Sequence, residues 1–427
     1  MTKLKGNAVI GQSGGPTCVI NRSLVAAVEE LKKSSQITGI FGARHGLDGI
    51  LKEEFIDLRK QSKSTLARLL ETPSAALGST RKRPKAGDED CTRTLEVFQK
   101  YDVRYFFYIG GGDSAQTANT LSALARSKGY EFRTFHIPKT IDNDLIGSDH
   151  TPGYGTAARF VACAFLGDDL DNRSLKGVKI DVVMGRHAGY LTAASVLGRL
   201  DDESGPHLVY VPERLFHMDR FIADVDAVYA RLGRCVVAVS EGIATGPDDK
   251  DLIVTQAGVT MLKESVRMDM PRDPSGHPQL SGTGILADYL VWQVRRGLET
   301  KYAAQKKKLR IRGDTFGYLQ RSFPSAMSDV DAREATEVGT LAVRFALASD
   351  TDGSVVIQRK PGRKYAVKIT CAPLAEVARG EATMPDHFIN QAGNNVTQAF
   401  VDYARPLVGR LPNAGLLQQT LVPKRRT

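Results

Sequence analysis

Val103-Arg104-Tyr105-Phe106-Phe107-Tyr108-Ile109 runs without a break into Gly110-Gly111-Gly112-Asp113-Ser114, and a helix-forming stretch over 115–125 follows. A nearly continuous apolar run of this length, closed by glycines, reads as a strand buried on both faces. A strand that turns through glycines into a helix is half of a βαβ unit. The same order recurs along the chain: 7–11 into a glycine-rich turn and a helix through Val25-Ala26-Ala27-Val28, 178–184 into 188–200, 234–239, and 309–319 ahead of a helix over 330–348. The expected fold class is therefore α/β, with mainly parallel sheets covered by helices on both faces.

At about 150 residues per domain, a chain of 427 residues holds two or three domains, each able to bury its own core. Hydrophobic residues at 42% and charged residues at 25% exclude a disordered or fibrous chain. The turn-rich Asp149-His150-Thr151-Pro152-Gly153 marks passage into a second lobe, and Gly317-Tyr318-Leu319-Gln320-Arg321 marks the return. The expected division is 1–153 with 318–350 as one Rossmann-like lobe and 154–317 as the other. Residues 351–427 form a C-terminal extension: a hairpin of 355–360 and 364–370 joined by Pro361-Gly362-Arg363, then a helix near 395–403.

Charge and cysteines narrow the class further. The net charge of +10 sits partly in Arg81-Lys82-Arg83-Pro84-Lys85, Lys306-Lys307-Lys308 and Lys424-Arg425-Arg426. No aromatic residues interleave these clusters, so no nucleic-acid partner is expected, and a pocket for phosphorylated small molecules accounts for the charge as well. No apolar run of about 18 residues exists to span a membrane, and Met1-Thr2-Lys3-Leu4-Lys5-Gly6 lacks the apolar stretch of a signal peptide. A cytoplasmic protein is expected. Five scattered cysteines, with no C-x-x-C pair, argue against a disulfide framework or a zinc site.

Three loops follow strands in the position where parallel sheets bind ligands. Gly11-Gln12-Ser13-Gly14-Gly15-Pro16-Thr17 lets backbone approach an anion closely, although a tight turn explains its glycines equally. Gly110-Gly111-Gly112-Asp113-Ser114 opens a helix; capping alone accounts for Asp113, but not for three glycines. Pro138-Lys139-Thr140-Ile141-Asp142-Asn143-Asp144 gathers two carboxylates and a lysine. A neighbouring cation keeps a carboxylate ionised and able to accept a hydroxyl proton, while an Asx-turn is the simpler reading of the same residues.

Together with Met184-Gly185-Arg186-His187-Ala188-Gly189 and Ser240-Glu241-Gly242, these motifs stand in the order found in phosphofructokinases, and residues 7–350 resemble that family. The resemblance implies that Asp142 is the general base toward a sugar 1-hydroxyl. It implies that Gly14 and Gly15 cradle phosphate, and that Thr140, Ile141, Met184, Gly185, Arg186 and Glu241 hold the sugar. Arg312, Tyr318 and Arg321 would grip its phosphate, and Arg81 would neutralise the transferring phosphoryl group. ATP-using members carry glycine where this chain has Asp113 and Lys139, whereas pyrophosphate-using members carry Asp and Lys. A carboxylate there would repel a nucleotide α-phosphate and leave room for pyrophosphate, and Lys139 would offset the charge of the leaving phosphate.

The implied activity is reversible phosphoryl transfer from pyrophosphate to the 1-hydroxyl of fructose 6-phosphate, in glycolysis or gluconeogenesis. An ATP-using enzyme and a non-catalytic metabolite-binding homologue stand as alternatives. The implied cofactor is Mg²⁺ and the implied assembly a homodimer. One departure concerns the metal: many relatives carry an aspartate, held to ligate Mg²⁺, where this chain has Gly112, which leaves Asp113, or secondly Asp144, as the ligand. An arginine that some relatives contribute from a neighbouring subunit falls near Gly177, with Lys176 or Lys179 as the substitutes at hand.

Overall fold

The computed structural model describes residues 4–245, 282–362 and 364–425. The first three residues, Arg363 of the hairpin connection and Arg426 of the basic tail lie outside them. The strands in chain order are β1 (Gly6–Gln12), β2 (Ile37–Ala43), β3 (Phe55–Asp57), β4 (Val103–Gly110), β5 (Arg133–Pro138), β6 (Val178–Val183), β7 (Leu208–Tyr210), β8 (Cys235–Ser240), β9 (Ile311–Thr315), β10 (Gly353–Arg359) and β11 (Val367–Pro373). They form a seven-stranded sheet ordered β11-β10-β5-β4-β1-β2-β3 and a four-stranded sheet ordered β7-β8-β6-β9.

The two sheets follow from their sequences. Strand β4 lies between β1 and β5, parallel to both, with every residue but Arg104 buried. In the second sheet β6 and β8 are buried throughout, and all pairings are parallel. Alternation would leave one face wet; these runs leave none, and helices cover both sides. The chain is α/β, as the 103–114 stretch indicates.

Two helices join the halves. The helix Asp329–Ala348 packs along Ile20–Leu31 of the first half, where the Ser23 hydroxyl donates to the Ala335 carbonyl at 2.8 Å. Its buried Asp331 accepts from the N–H groups of Gly153 and Thr156, at 2.8 and 2.9 Å, and so caps the helix Tyr154–Ser174. The passage at 149–153 is thus tied to the helix that follows the return near 317–321.

Details depart from expectation in three places. The helix expected over 188–200 is a short one, Tyr190–Ala194, that tightens into a 3₁₀ turn, Ser195–Gly198, as the Ser195 hydroxyl donates back to the Thr192 carbonyl. The strand expected over 309–319 ends at Thr315, because Gly317 turns at φ +56° and Leu319–Ser322 coils into a single helical turn. The C-terminal hairpin is present but does not stand apart: β10 pairs with β5 through Gly353↔Phe135 and Ser354↔His136, extending the first sheet. No helix among the described residues is long and apolar enough to cross a membrane.

Candidate active site

The carboxyl ends of β1, β4 and β5 face those of β6 and β8 across a cleft. Its floor is the loop after β1. Ser13 N–H donates to the Ile109 carbonyl at 2.9 Å, and Gly14 N–H to the Thr80 carbonyl at 2.9 Å, with Gly14 at φ +75°. A side chain on Gly14 would begin 3.3 Å from Lys139 Nζ, and one on Gly15 3.1 Å from an Arg321 guanidinium nitrogen. A side chain at either position would crowd the tip of one of these cations against the backbone. Buried Gln12 and Asn21 bond each other and the 72–77 backbone, which fixes the segment leading to Arg81.

The loop after β4 opens the helix Gly112–Ser127, whose first N–H groups lack a side-chain cap. Buried His136 holds this loop in place: its ring nitrogens lie 2.8 Å from the Gly110 carbonyl and from Ser354 Oγ, and burial lowers its pKa to about 4. The imidazole is neutral and structural. Asp113 faces solvent and pairs with Arg83 at 2.7 Å. A metal role for Asp113 therefore competes with a guanidinium that sequence reading assigned only to a charge cluster.

The loop after β5 carries the acid–base groups. Lys139 is 2% exposed, and its Nζ donates to the Gly15 carbonyl at 2.7 Å. Burial and the Arg321 charge lower its pKa to about 7, against the opposing pull of Asp142 and Asp144. Asp142 opens onto the cleft; burial and the Glu381 charge raise its pKa, while Lys139, Arg186 and His187 work to lower it. Asp144 is 8% exposed, and burial with the charges of Asp142 and Glu381 pushes it up to about 8. Asn143 sits at φ +62°, a region that asparagine tolerates better than most residues. Its amide donates to the Tyr403 hydroxyl at 2.7 Å and accepts from Thr151 N–H at 2.9 Å.

The opposite wall comes from the second sheet. Met184 N–H meets the Gln320 amide oxygen at 3.2 Å, Gly185 turns at φ +135°, and its N–H points at buried Glu241, 3.4 Å away. Arg321 lies 4.5 Å above the Tyr318 ring, and burial with the charge of Arg81 lowers its pKa. Arg81, Arg186, Tyr318 and Arg321 share the cleft with Gly14, Gly15, Asp113, Lys139, Thr140, Ile141, Asp142, Met184 and Glu241.

Of the residues named from sequence, Arg312 is the one the fold carries elsewhere. It is the second residue of β9, at the end remote from the converging loops, where it pairs with Asp171 at 3.2 Å and donates to the Leu175 carbonyl. Lys179 is no free substitute for a missing arginine, since Asp168, Asp181 and Asp314 enclose it; Lys176 donates to the Leu232 carbonyl. Sequence reading missed Glu381 altogether. It enters the cleft from the C-terminal segment, more than two hundred residues after the loop it joins, and no local pattern announces it.

The arrangement is an anion cradle of glycine backbone and buried cations, with carboxylates set against a polar second wall. Residues 7–346 match the family model described as phosphofructokinase. The chain is 49% identical over 421 residues to the pyrophosphate–fructose 6-phosphate 1-phosphotransferase of Rhodospirillum rubrum, with 98% of each chain covered. It is 36% identical over 417 residues to the enzyme of the same name from Xanthomonas campestris, covering 96% of this chain and 93% of that one. Its structure is similar to that of the pyrophosphate-dependent phosphofructokinase of Nitrosospira multiformis, with a TM-score of 0.79, 31% identity and 99% of both chains covered.

Proposed function

Because this chain belongs to the phosphofructokinase family, we propose that it transfers a phosphoryl group from pyrophosphate to the 1-hydroxyl of fructose 6-phosphate, giving fructose 1,6-bisphosphate and phosphate. The observation that carries the choice of donor is the placement of Lys139 and Asp113. A buried ammonium lies against the Gly14–Gly15 backbone, and a carboxylate paired with Arg83 stands at the helix start. A nucleotide would bring its α-phosphate toward that carboxylate, whereas pyrophosphate ends before it.

The geometry supports the following course. Glu241, Arg186 and the Met184–Gly185 turn orient the sugar, and Arg321, backed by the Tyr318 ring, grips its phosphate. Asp142 takes the proton of the 1-hydroxyl as that oxygen attacks the terminal phosphorus in line. The bridging P–O bond breaks, and its electron pair leaves on the second phosphate. Lys139 and Arg81 offset the charge that gathers there. The raised pKa of Asp142 suits a base that must also return the proton when the step runs backward.

Asp144, the second candidate after Asp113, would hold a divalent cation of the Mg²⁺ kind: one of its buried oxygens has no partner among the described residues, whereas Asp113 is paired with Arg83. Such an ion would draw charge from the phosphate oxygens. A two-fold homodimer would give Arg312 a substrate to meet, since residues on that face lie outside their own subunit's cleft. We place the enzyme in the cytoplasm, in keeping with its free cysteines.

The test is a donor assay with purified protein, fructose 6-phosphate and Mg²⁺, supplied with either pyrophosphate or ATP. Turnover with pyrophosphate alone is expected. Turnover with ATP alone would overturn the reading of Asp113 and Lys139, and binding of sugar phosphate without turnover would favour a non-catalytic homologue.

A further inference from the structure

Three carboxylates from two distant parts of the chain converge beside the start of the helix Gly112–Ser127. Asp142 and Asp144 belong to the loop after β5, and Glu381 belongs to the segment that leaves β11. The backbone fixes this meeting: residue 381 forms an isolated bridge with Leu145, and Ala382 N–H donates to the Asp144 carbonyl at 2.7 Å. The Glu381 side chain then runs past Gly112. A Cβ built on Gly112 would stand 3.8 Å from Glu381 Cγ, in ordinary contact. Residue 112 carries no side chain, and the stem of Glu381 lies alongside the space one would enter.

Charge makes the meeting unfavourable unless something positive joins it. Asp142, Asp144 and Glu381 all line the one cleft. Asp144 is 8% exposed, and its buried Oδ1 has no hydrogen-bond partner among the described residues. Of the nearby cations, Lys139 donates to the Gly15 carbonyl, Arg83 pairs with Asp113, and Arg186 and His187 act on Asp142. No side chain among the described residues donates to Glu381, which faces the open cleft. An orphaned buried carboxylate oxygen ringed by like charge is costly by itself and favourable around a hard cation.

We propose that Glu381, delivered from the C-terminal segment, joins Asp144 in holding a divalent cation at the place where residue 112 has no side chain to offer. The proposal rests on the phosphoryl-transfer reading for the identity of the phosphate that shares the ion. No group of three His, Cys, Asp or Glu side chains is preformed as a metal site among the described residues. One or two carboxylates completed by phosphate oxygens and water is the coordination that Mg²⁺ and Mn²⁺ accept readily. In this view the C-terminal segment is part of the active site, and the missing ligand in the glycine loop is supplied from the other end of the sequence.

The experiment counts bound Mn²⁺ by the loss of its free six-line electron paramagnetic resonance signal, in full-length protein with methylenediphosphonate, a pyrophosphate analogue. Glu381→Gln is expected to weaken Mn²⁺ uptake by about tenfold or more, with the thermal midpoint in EDTA unchanged. Glu376→Gln, an exposed glutamate of the same segment, should leave uptake as in the unaltered protein. Gly112→Asp added to Glu381→Gln should restore it, because an aspartate there reaches the same space. Unchanged Mn²⁺ affinity in Glu381→Gln overturns the proposal, and failure of Gly112→Asp to restore uptake overturns the placement at residue 112. Because the ion is counted directly, loss of Mn²⁺ in Glu381→Gln supports the assignment even if the donor assay finds ATP and so defeats the donor reading.

Discussion

The ammonium of Lys139 lies 2.7 Å from the carbonyl oxygen of Gly15, inside the turn made by the glycines after β1. That contact brings the loop after β5 onto the loop after β1 and buries a cation where an anion is to bind. With Lys139 poised near pH 7, a bound phosphate anion would raise its pKa again. Pyrophosphate binding should therefore take up protons between about pH 7 and 8.5. Calorimetry in two buffers of different ionisation enthalpy measures this directly, and equal heats in both would contradict it.

The same lysine gives a stability prediction with a definite sign. Its folded pKa of about 7 lies below the unfolded value of about 10.4. Between those values the unfolded chain binds the extra proton, so the contribution of Lys139 to stability rises with pH across that window. Below pH 7 the charged form is held at full cost. Lys139→Met should raise the apo-protein's thermal midpoint at pH 6, erase this slope, and lower turnover by about 10²–10³-fold. A midpoint at pH 6 below that of the unaltered protein would show that the bond to Gly15 outweighs the burial of charge.

Asp142→Asn tests the base. The amide keeps the shape and removes the proton acceptor, so kcat should fall by about 10³-fold or more while fructose 6-phosphate still binds. Removing one of the charges that raise Asp144 should also bring the Asp144 pKa down from about 8. Stability should not suffer, because no side-chain hydrogen bond of Asp142 is lost among the described residues. Turnover near the original rate would reassign the base.

How much of this was legible in the sequence follows from where each signal resides. The β4 run and its glycines settle the α/β class locally, because burial on both faces leaves its mark in the residues of the strand itself. The cleft was legible loop by loop, since the parallel sheets bring their carboxyl ends together and those loops are short. Arg312 lies outside its own chain's cleft because a matched motif carries no statement of which end of a strand, or which subunit, a side chain faces. Glu381, Tyr403 and the Arg83–Asp113 pair were unreadable because each depends on tertiary approach between segments with no shared pattern.

Donor choice can be turned by two substitutions. Asp113→Gly with Lys139→Gly removes the carboxylate and the ammonium that favour the shorter donor, and releases Arg83 toward the space an α-phosphate would occupy. ATP-dependent turnover should appear in the double variant and pyrophosphate turnover should drop by about 10²-fold. If the double variant gains nothing with ATP, selection lies in the shape of the 81–85 segment and not in this pair.

The last prediction concerns the reach of the C-terminal helix Gln398–Val408 into the chemistry. Buried between it and the loop after β5, the Tyr403 hydroxyl donates to the Asp149 carbonyl at 2.7 Å and accepts from the Asn143 amide at 2.7 Å. Asn143 lies between Asp142 and Asp144 at φ +62°, so what holds Asn143 also sets the direction of both carboxylates. Tyr403→Phe keeps the packed ring and deletes both bonds, leaving a carbonyl and an amide without that partner. The loss should cost about 1–3 kcal/mol of stability. It should lower kcat several-fold while leaving the KM for pyrophosphate nearly unchanged, because Lys139 and the glycine cradle do not depend on it. Denaturant unfolding and steady-state kinetics on the one variant read both effects. A stability loss with unaltered kcat would mean that the bonds from Thr151, its N–H at 2.9 Å and its hydroxyl at 3.4 Å, suffice to aim Asp142.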